Sequence, residues 1–289
     1  MIDPVDPEEL TAVSAPVRAN VPPATRMGAV HLTVADLDRS LAYYETQIGL
    51  QVHAREDGRA RLGTGGEDLL VLTEEPGARP ADGYSGLFHF ALLVPERIDL
   101  ARWLAHAARD RVALTGLSDH FVSEALYLRD PDYHGIEIYA DRPRELWEGQ
   151  VGLRLTTEPL DTNDLLATLE DPSSESFDGL AAGTVMGHVH LCVADVGRTV
   201  DYYRDVVGFG LMAQLGDQAA FLSAGGYHHH LGGNTWQSAG RPYAPEGHAR
   251  LTQMTIVLPD EASLDALAKR VGGREVRDPS GIPVALTTG

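Results

Sequence analysis

The chain has 289 residues, enough for about two domains at roughly 150 residues each. Its formal charge of −19 repels phosphate backbones and anionic lipid, and no Lys/Arg cluster offsets it, which argues against nucleic acid or a membrane surface as partner. No apolar run reaches about 18 residues, so no membrane-spanning helix is expected, and the lone Cys192 excludes an intrachain disulfide and suits a reducing cytoplasm.

Residues 1–26 read as an irregular N-terminal arm, because Pro4, Pro7, Pro16, Pro22 and Pro23 interrupt any regular pattern. Its opening, "MIDPVDPEEL", is acidic and lacks the form of a signal peptide. From Met27 the pattern becomes regular. "AVHLTV" alternates, with Val30, Leu32 and Val34 on one face, as a half-packed strand requires. Asp36 stands at a helix N-cap, "LDRSLAYYETQI" follows, and Gly49 marks the stop. Strands are expected at "LQVHARE", "GRARLGTG" and "DLLVLTEE", which makes a βαβββ unit.

The unit recurs from Met186. "VMGHVHLCVAD" repeats "RMGAVHLTVAD", Asp195 is the cap, "VGRTVDYYRDVV" the helix and Gly208 the stop. Strands "GLMAQLG", "QAAFLSAG" and "YHHHLGGNTW" follow. About half of the aligned positions are identical, which marks an internal duplication. Two weaker copies fill the gaps. One runs from "LFHFALLVPE" to "ALYLRDPDYHGIEIYA", the other from "RLTQMTIVLPDE" to "PSGIPVALTT". The expected organisation is a first half at 27–141 with modules one and two, a turn-rich connection at 142–184 with one short helix after Asp161, and a second half at 185–289 with modules three and four.

The strand–Asp–helix–Tyr-Tyr–Gly pattern resembles the vicinal oxygen chelate superfamily of glyoxalases, bleomycin-resistance proteins and extradiol dioxygenases. "GYHHH" and "DHFVSEALYLRDPDYHGIEIYADRPRE" are similar, within it, to bacterial catechol 2,3-dioxygenases. The resemblance implies an α+β fold in which four βαβββ modules pair into two partly open, barrel-like sheets around a metal cleft. It also places metal ligands on the first and last strands of modules.

The family's first-strand ligand position, seven residues before each helix cap, holds Ala29, His89, His188 and Gln253 in modules one to four. The last-strand position matches apolar residues near Leu70 in module one, Glu137 in module two, the His228–His230 run in module three and Pro283 in module four. Only the two middle modules carry metal-competent residues. The site closes only if module two pairs with module three, or if chains exchange modules, and the first is expected. His31 and His190 occupy a shared position in both close copies and are read as strand-face residues of cleft or core.

His89, Glu137 and His188 then form a 2-His-1-carboxylate set, which leaves open positions for a diol and O2 and suits Fe(II), with Mn(II) as the alternative. Glu137 also stands between Ile136 and Ile138, where an unpaired buried carboxylate would be costly. The resemblance implies an acid/base histidine on the "YHHHLGGNTW" strand, best matched by His229; a shift of one residue would turn His228 and His230 inward instead. It also implies roles toward a substrate oxygen for Tyr127, ten residues before Glu137, and substrate contact for His120 near Ser123. His228 and His230 join His120 as substrate-contacting candidates, and Asn234 and Trp236 as cleft wall. The expected partners are a small aromatic diol and O2, with room left for a homo-oligomer. The expected activity is extradiol ring cleavage in the cytoplasm. The alternatives are another metal-dependent reaction of the superfamily, such as a glyoxalase or isomerase, and metal-free binding of a small molecule or drug.

Overall fold

The computed structural model describes residues 20–289, so the expected arm lies outside the described residues as far as residue 19. Arg26–Met27 pairs with Val257 and Ile256 of module four.

Each module starts with a strand that runs into a capped helix. Asp36, Asp195 and Asp260 accept from the amides of Arg39, Arg198 and Ser263, and Glu96 forms a capping box with Asp99. In modules one and three the helix opens into a π-turn at Tyr44–Ile48 and Tyr202–Val207 before Gly49 and Gly208 end it at φ 89° and 95°. The Tyr-Tyr pairs are explained by this geometry. The second tyrosine of each is buried and reaches another module: Tyr44 Oη donates to Asp130 Oδ2 at 2.9 Å, and Tyr203 Oη to Asp278 Oδ2 at 3.4 Å. Asp130 and Asp278 lie in the turns before the last strands of modules two and four, so each odd module is tied to the even module after it.

The sheets pair the modules differently. Modules two and three share a nine-stranded sheet, joined where Gly86–Leu93 runs antiparallel to Val185–Cys192. Modules one and four share an eight-stranded sheet, joined where Val30–Val34 meets Leu251–Leu258. The expected two-with-three pairing is therefore present within one chain. Module four is one strand short, with only Glu275–Arg277 and Pro283–Thr288 after its helix. The connection carries the expected short helix, Thr162–Leu166, capped by Asp161. It also adds Glu158–Pro159 to the edge of the nine-stranded sheet. The main apolar core runs between sheets and helices, with Trp103, Tyr44, Tyr203 and Phe90 among its largest members. No helix of the described residues is long and apolar enough to cross a membrane.

Candidate metal centre and its cavity

His89 comes from the first strand of module two, Glu137 from its last strand, and His188 from the first strand of module three. The antiparallel junction brings them together although 99 positions separate the two histidines. Glu137 Oε2 lies 3.0 Å from Nε2 of His89 and 3.0 Å from Nε2 of His188, and the two Nε2 atoms are 3.4 Å apart. All three side chains are buried. A β-bulge at Gly187 aims His188 inward, and only glycine fits there, because a Cβ would stand 1.9 Å from the Tyr139 hydroxyl.

Burial would raise the Glu137 carboxyl, but the facing His188 and His89 imidazoles outweigh it and hold it well below the usual carboxylate range. Burial, against the pull of Glu137, lowers His188 to about 4. At neutral pH the set is therefore one carboxylate and, at His188, a neutral imidazole, the form a cation needs. The donor set fits a metal. Two imidazole nitrogens this close cannot both point N–H groups at one carboxylate oxygen without repelling each other, and a shared cation removes that conflict. Among the described residues these are the three side chains whose donor atoms all lie within 4.8 Å of one another.

The strand ladders define a ring of four ligand positions, two from each module of the pair. Glu137 pairs with Ala91, two residues beyond His89. The same step from His188 reaches His190, whose partner is Gly232. The fourth place is thus glycine, and not the His228–His230 run expected there. A Cβ at Gly232 would come within 2.8 Å of the His190 ring, so this place carries no donor side chain. By the same register, module one offers Val71 and module four Ala285, in place of the expected Leu70 and Pro283. Together with Ala29 and Gln253 they give the other sheet no comparable set. Its His31, the counterpart of His190, contacts Gln253 at 3.4 Å and is lowered to about 4, chiefly by burial.

The centre opens into a cavity lined by His89, Glu137 and His188 together with His190, His229, His120, Tyr127 and Ser123. Val122, Leu155, Leu215 and Phe221 make its apolar wall. Tyr127 lies opposite Glu137 in the strand ladder, and its hydroxyl donates to His120 Nε2 at 2.7 Å. His120 Nδ1–H donates to the Thr156 carbonyl at 2.9 Å, which fixes that tautomer. Asn234 Nδ2 donates to His190 Nε2 at 3.0 Å. Burial drives His190 and His229 well below the usual imidazole range, so both are neutral.

The histidine run differs from its expectation. It precedes the strand, which spans only Leu231–Asn234, because Gly225 and Gly226, at φ 58° and 69°, turn the chain before it. His229 lines the cavity, but His228 and His230 do not. His228 turns to Asp141, and His230 Nδ1 accepts from the Ala224 amide at 3.1 Å. The substrate contact expected of these two is corrected by that placement. Trp236 lies outside the main cavity and lines a more open recess beside it with Phe88, which a second β-bulge turns toward His190 and Trp236. Residues the sequence did not single out include Leu155 and Thr156, which lie in the connection and touch the cavity only because that segment folds back over it.

A family model described as the Glyoxalase/Bleomycin resistance protein/Dioxygenase superfamily matches residues 26–138 and 185–278. The chain belongs to this superfamily. The two matched segments cover module one with most of module two, and module three with most of module four. A superfamily relative from Bacillus subtilis (strain 168), named catechol-2,3-dioxygenase, is 42% identical over 253 residues, which cover 86% of this chain and 87% of that one. Solved structures share the fold. A putative dioxygenase from Bacillus subtilis subsp. subtilis str. 168 has a TM-score of 0.60 at 15% identity, covering 91% of this chain and 85% of that chain. Glyoxalase I from Zea mays has a TM-score of 0.52 at 19% identity, covering 91% of this chain and 92% of that chain.

Proposed function

We propose that the protein is an extradiol dioxygenase that opens a catechol-type aromatic ring with O2, using Fe(II) held by His89, Glu137 and His188. Mn(II) is the alternative ion for the same donors. The observation that carries this reading is the glycine at the fourth place of the ligand ring. Three protein donors on an octahedral ion leave three positions, two for the oxygens of a diol and one for O2, whereas a fourth protein donor would take the place left for O2. The relative named catechol-2,3-dioxygenase supports the same reading. Gly232 also weighs against a reaction that uses four protein ligands, and the buried donors weigh against metal-free binding.

The bound metal would supply Lewis acidity and a path for electrons between diol and O2. The chain's own residues do the rest. His229, neutral and buried beside His188 at 4.1 Å between ring centroids, takes up a diol proton. Tyr127 and His120, already bonded to each other, present a polar edge to a substrate oxygen. Val122, Leu155, Leu215 and Phe221 exclude water and accept the ring.

The test is oxygen uptake by the anaerobically purified, Fe(II)-loaded protein against a panel of catechols. Uptake coupled to a yellow ring-opened product is expected. Glu137→Gln should weaken metal retention at least about tenfold and lower turnover by more than about a hundredfold with the fold kept. Full activity in that variant would refute the ligand role, and no uptake by the iron-loaded wild type would refute the dioxygenase.

A further inference from the structure

The two histidines on either side of His229 are both withdrawn from the cavity, yet His228 is fully buried beside it. Its Nε2 lies 3.0 Å from Asp141 Oδ1, and its Nδ1 lies 2.8 Å from Nδ1 of His229. These distances fix an order of hydrogen bonds. The Asp141 carboxylate only accepts, so His228 must carry its proton on Nε2. With one proton on each ring, Nδ1 of His228 then accepts, and His229 carries its proton on Nδ1. What remains to His229 for the cavity is Nε2 with a lone pair.

We propose that Asp141 and His228 are positioning residues that set the tautomer of His229, so that a bare Nε2 faces the bound diol. Packing supports the assignment. His228 is held between Tyr227, at 4.0 Å between centroids, and Trp147, at 5.7 Å. Tyr227 donates to the same Asp141 oxygen at 3.2 Å, and its own oxygen lies 2.7 Å from the Tyr139 hydroxyl. Asp141 therefore gathers two donors, and its bond to Nε2 sets the orientation of the His228 ring. With one proton on each ring, the opposite tautomer would make two N–H groups meet between His228 and His229, or would lose the bond to Asp141. The first of three adjacent histidines thus serves the site without entering it.

The effect on turnover rests on the dioxygenase reading, but the tautomer does not, so the two can fail separately. Long-range 1H–15N correlation spectra of the full chain without added metal read the protonated nitrogen of each ring. His229 is expected as the Nδ1–H form and His228 as the Nε2–H form. Asp141→Ala should let His229 populate Nε2–H. In the iron-loaded protein it should lower kcat on the order of a hundredfold, with KM changed less than about threefold. Asp141→Asn, which keeps an acceptor oxygen, should recover part of both. His228→Phe keeps the ring packing but removes both nitrogens, and it should reproduce the Asp141→Ala spectrum. An Nε2–H form of His229 in the wild type would overturn the proposal. So would an unchanged His229 tautomer in both Asp141→Ala and His228→Phe.

Discussion

Gly232 matters to the site through the atom it lacks. A methyl group there would press within 2.8 Å of the His190 ring and push it off its bond from Asn234. Gly232→Ala should leave metal content per chain unchanged, because none of the three donors is touched, while kcat falls about tenfold through the displaced wall of the cavity. Metal analysis beside steady-state kinetics checks this, and an unaltered kcat would mean that the position of His190 does not count. The residue scale also shows what a sequence can and cannot reveal. His188 was legible because a repeat set it against Ala29 at a matched position. Gly232 was not, because its meaning depends on strand register. Counting along the chain put the histidine run in the fourth place, and only the pairing of His190 with Gly232 moves that place past it. The role of His228 was hidden for the same reason, since its partner Asp141 is 87 positions away.

At the scale of elements, caps and stops were the most legible features, since they depend on local chemistry. Asp36 and Asp195 cap the helices they were expected to cap. The opening of two helices into π-turns was not legible, nor was the missing strand of module four. The tyrosine ties add a testable pH dependence. Burial raises Asp278 to about 6 from 3.8, against the amides of Ile282 and Ser280 that bond to it. The native form then holds a proton that the unfolded chain releases above about pH 4. The resulting stability is complete below about pH 4 and is lost as pH rises through about 6, a change of about 3 kcal/mol. Asp278→Asn stays neutral throughout. Urea unfolding at pH 4, 5, 6 and 7 should show the wild type losing ground to this variant by about that amount across the window. A constant difference between the two would show that Asp278 is not raised.

On the scale of the molecule, the two halves are interlocked. The proposed metal donors come from both, His89 and Glu137 from one and His188 from the other. The pairing was legible only through chemistry, because no other arrangement completes the ligand set within one chain. A protease site inserted between Ser173 and Ser174, on the exposed part of the connection, provides a test. The cleaved protein should elute as one species and keep its metal, whereas either half expressed alone should retain none. Separation of the cleaved halves under native conditions would contradict the interlock.

The same exchange dictates an order of assembly during translation. Of the four modules, module one leaves the ribosome first, but its partner is module four, which leaves after the other three. Pro283–Thr288, the last strand of the four modules, is an inner strand of that sheet, between Glu275–Arg277 and Leu251–Leu258. Until module four arrives, Val30–Val34 has an unpaired edge on the side that Leu251–Leu258 will occupy. A chain ending early therefore exposes its oldest module rather than its newest. Quality control that recognises open sheet edges would find the truncation at the opposite end of the polypeptide from the defect.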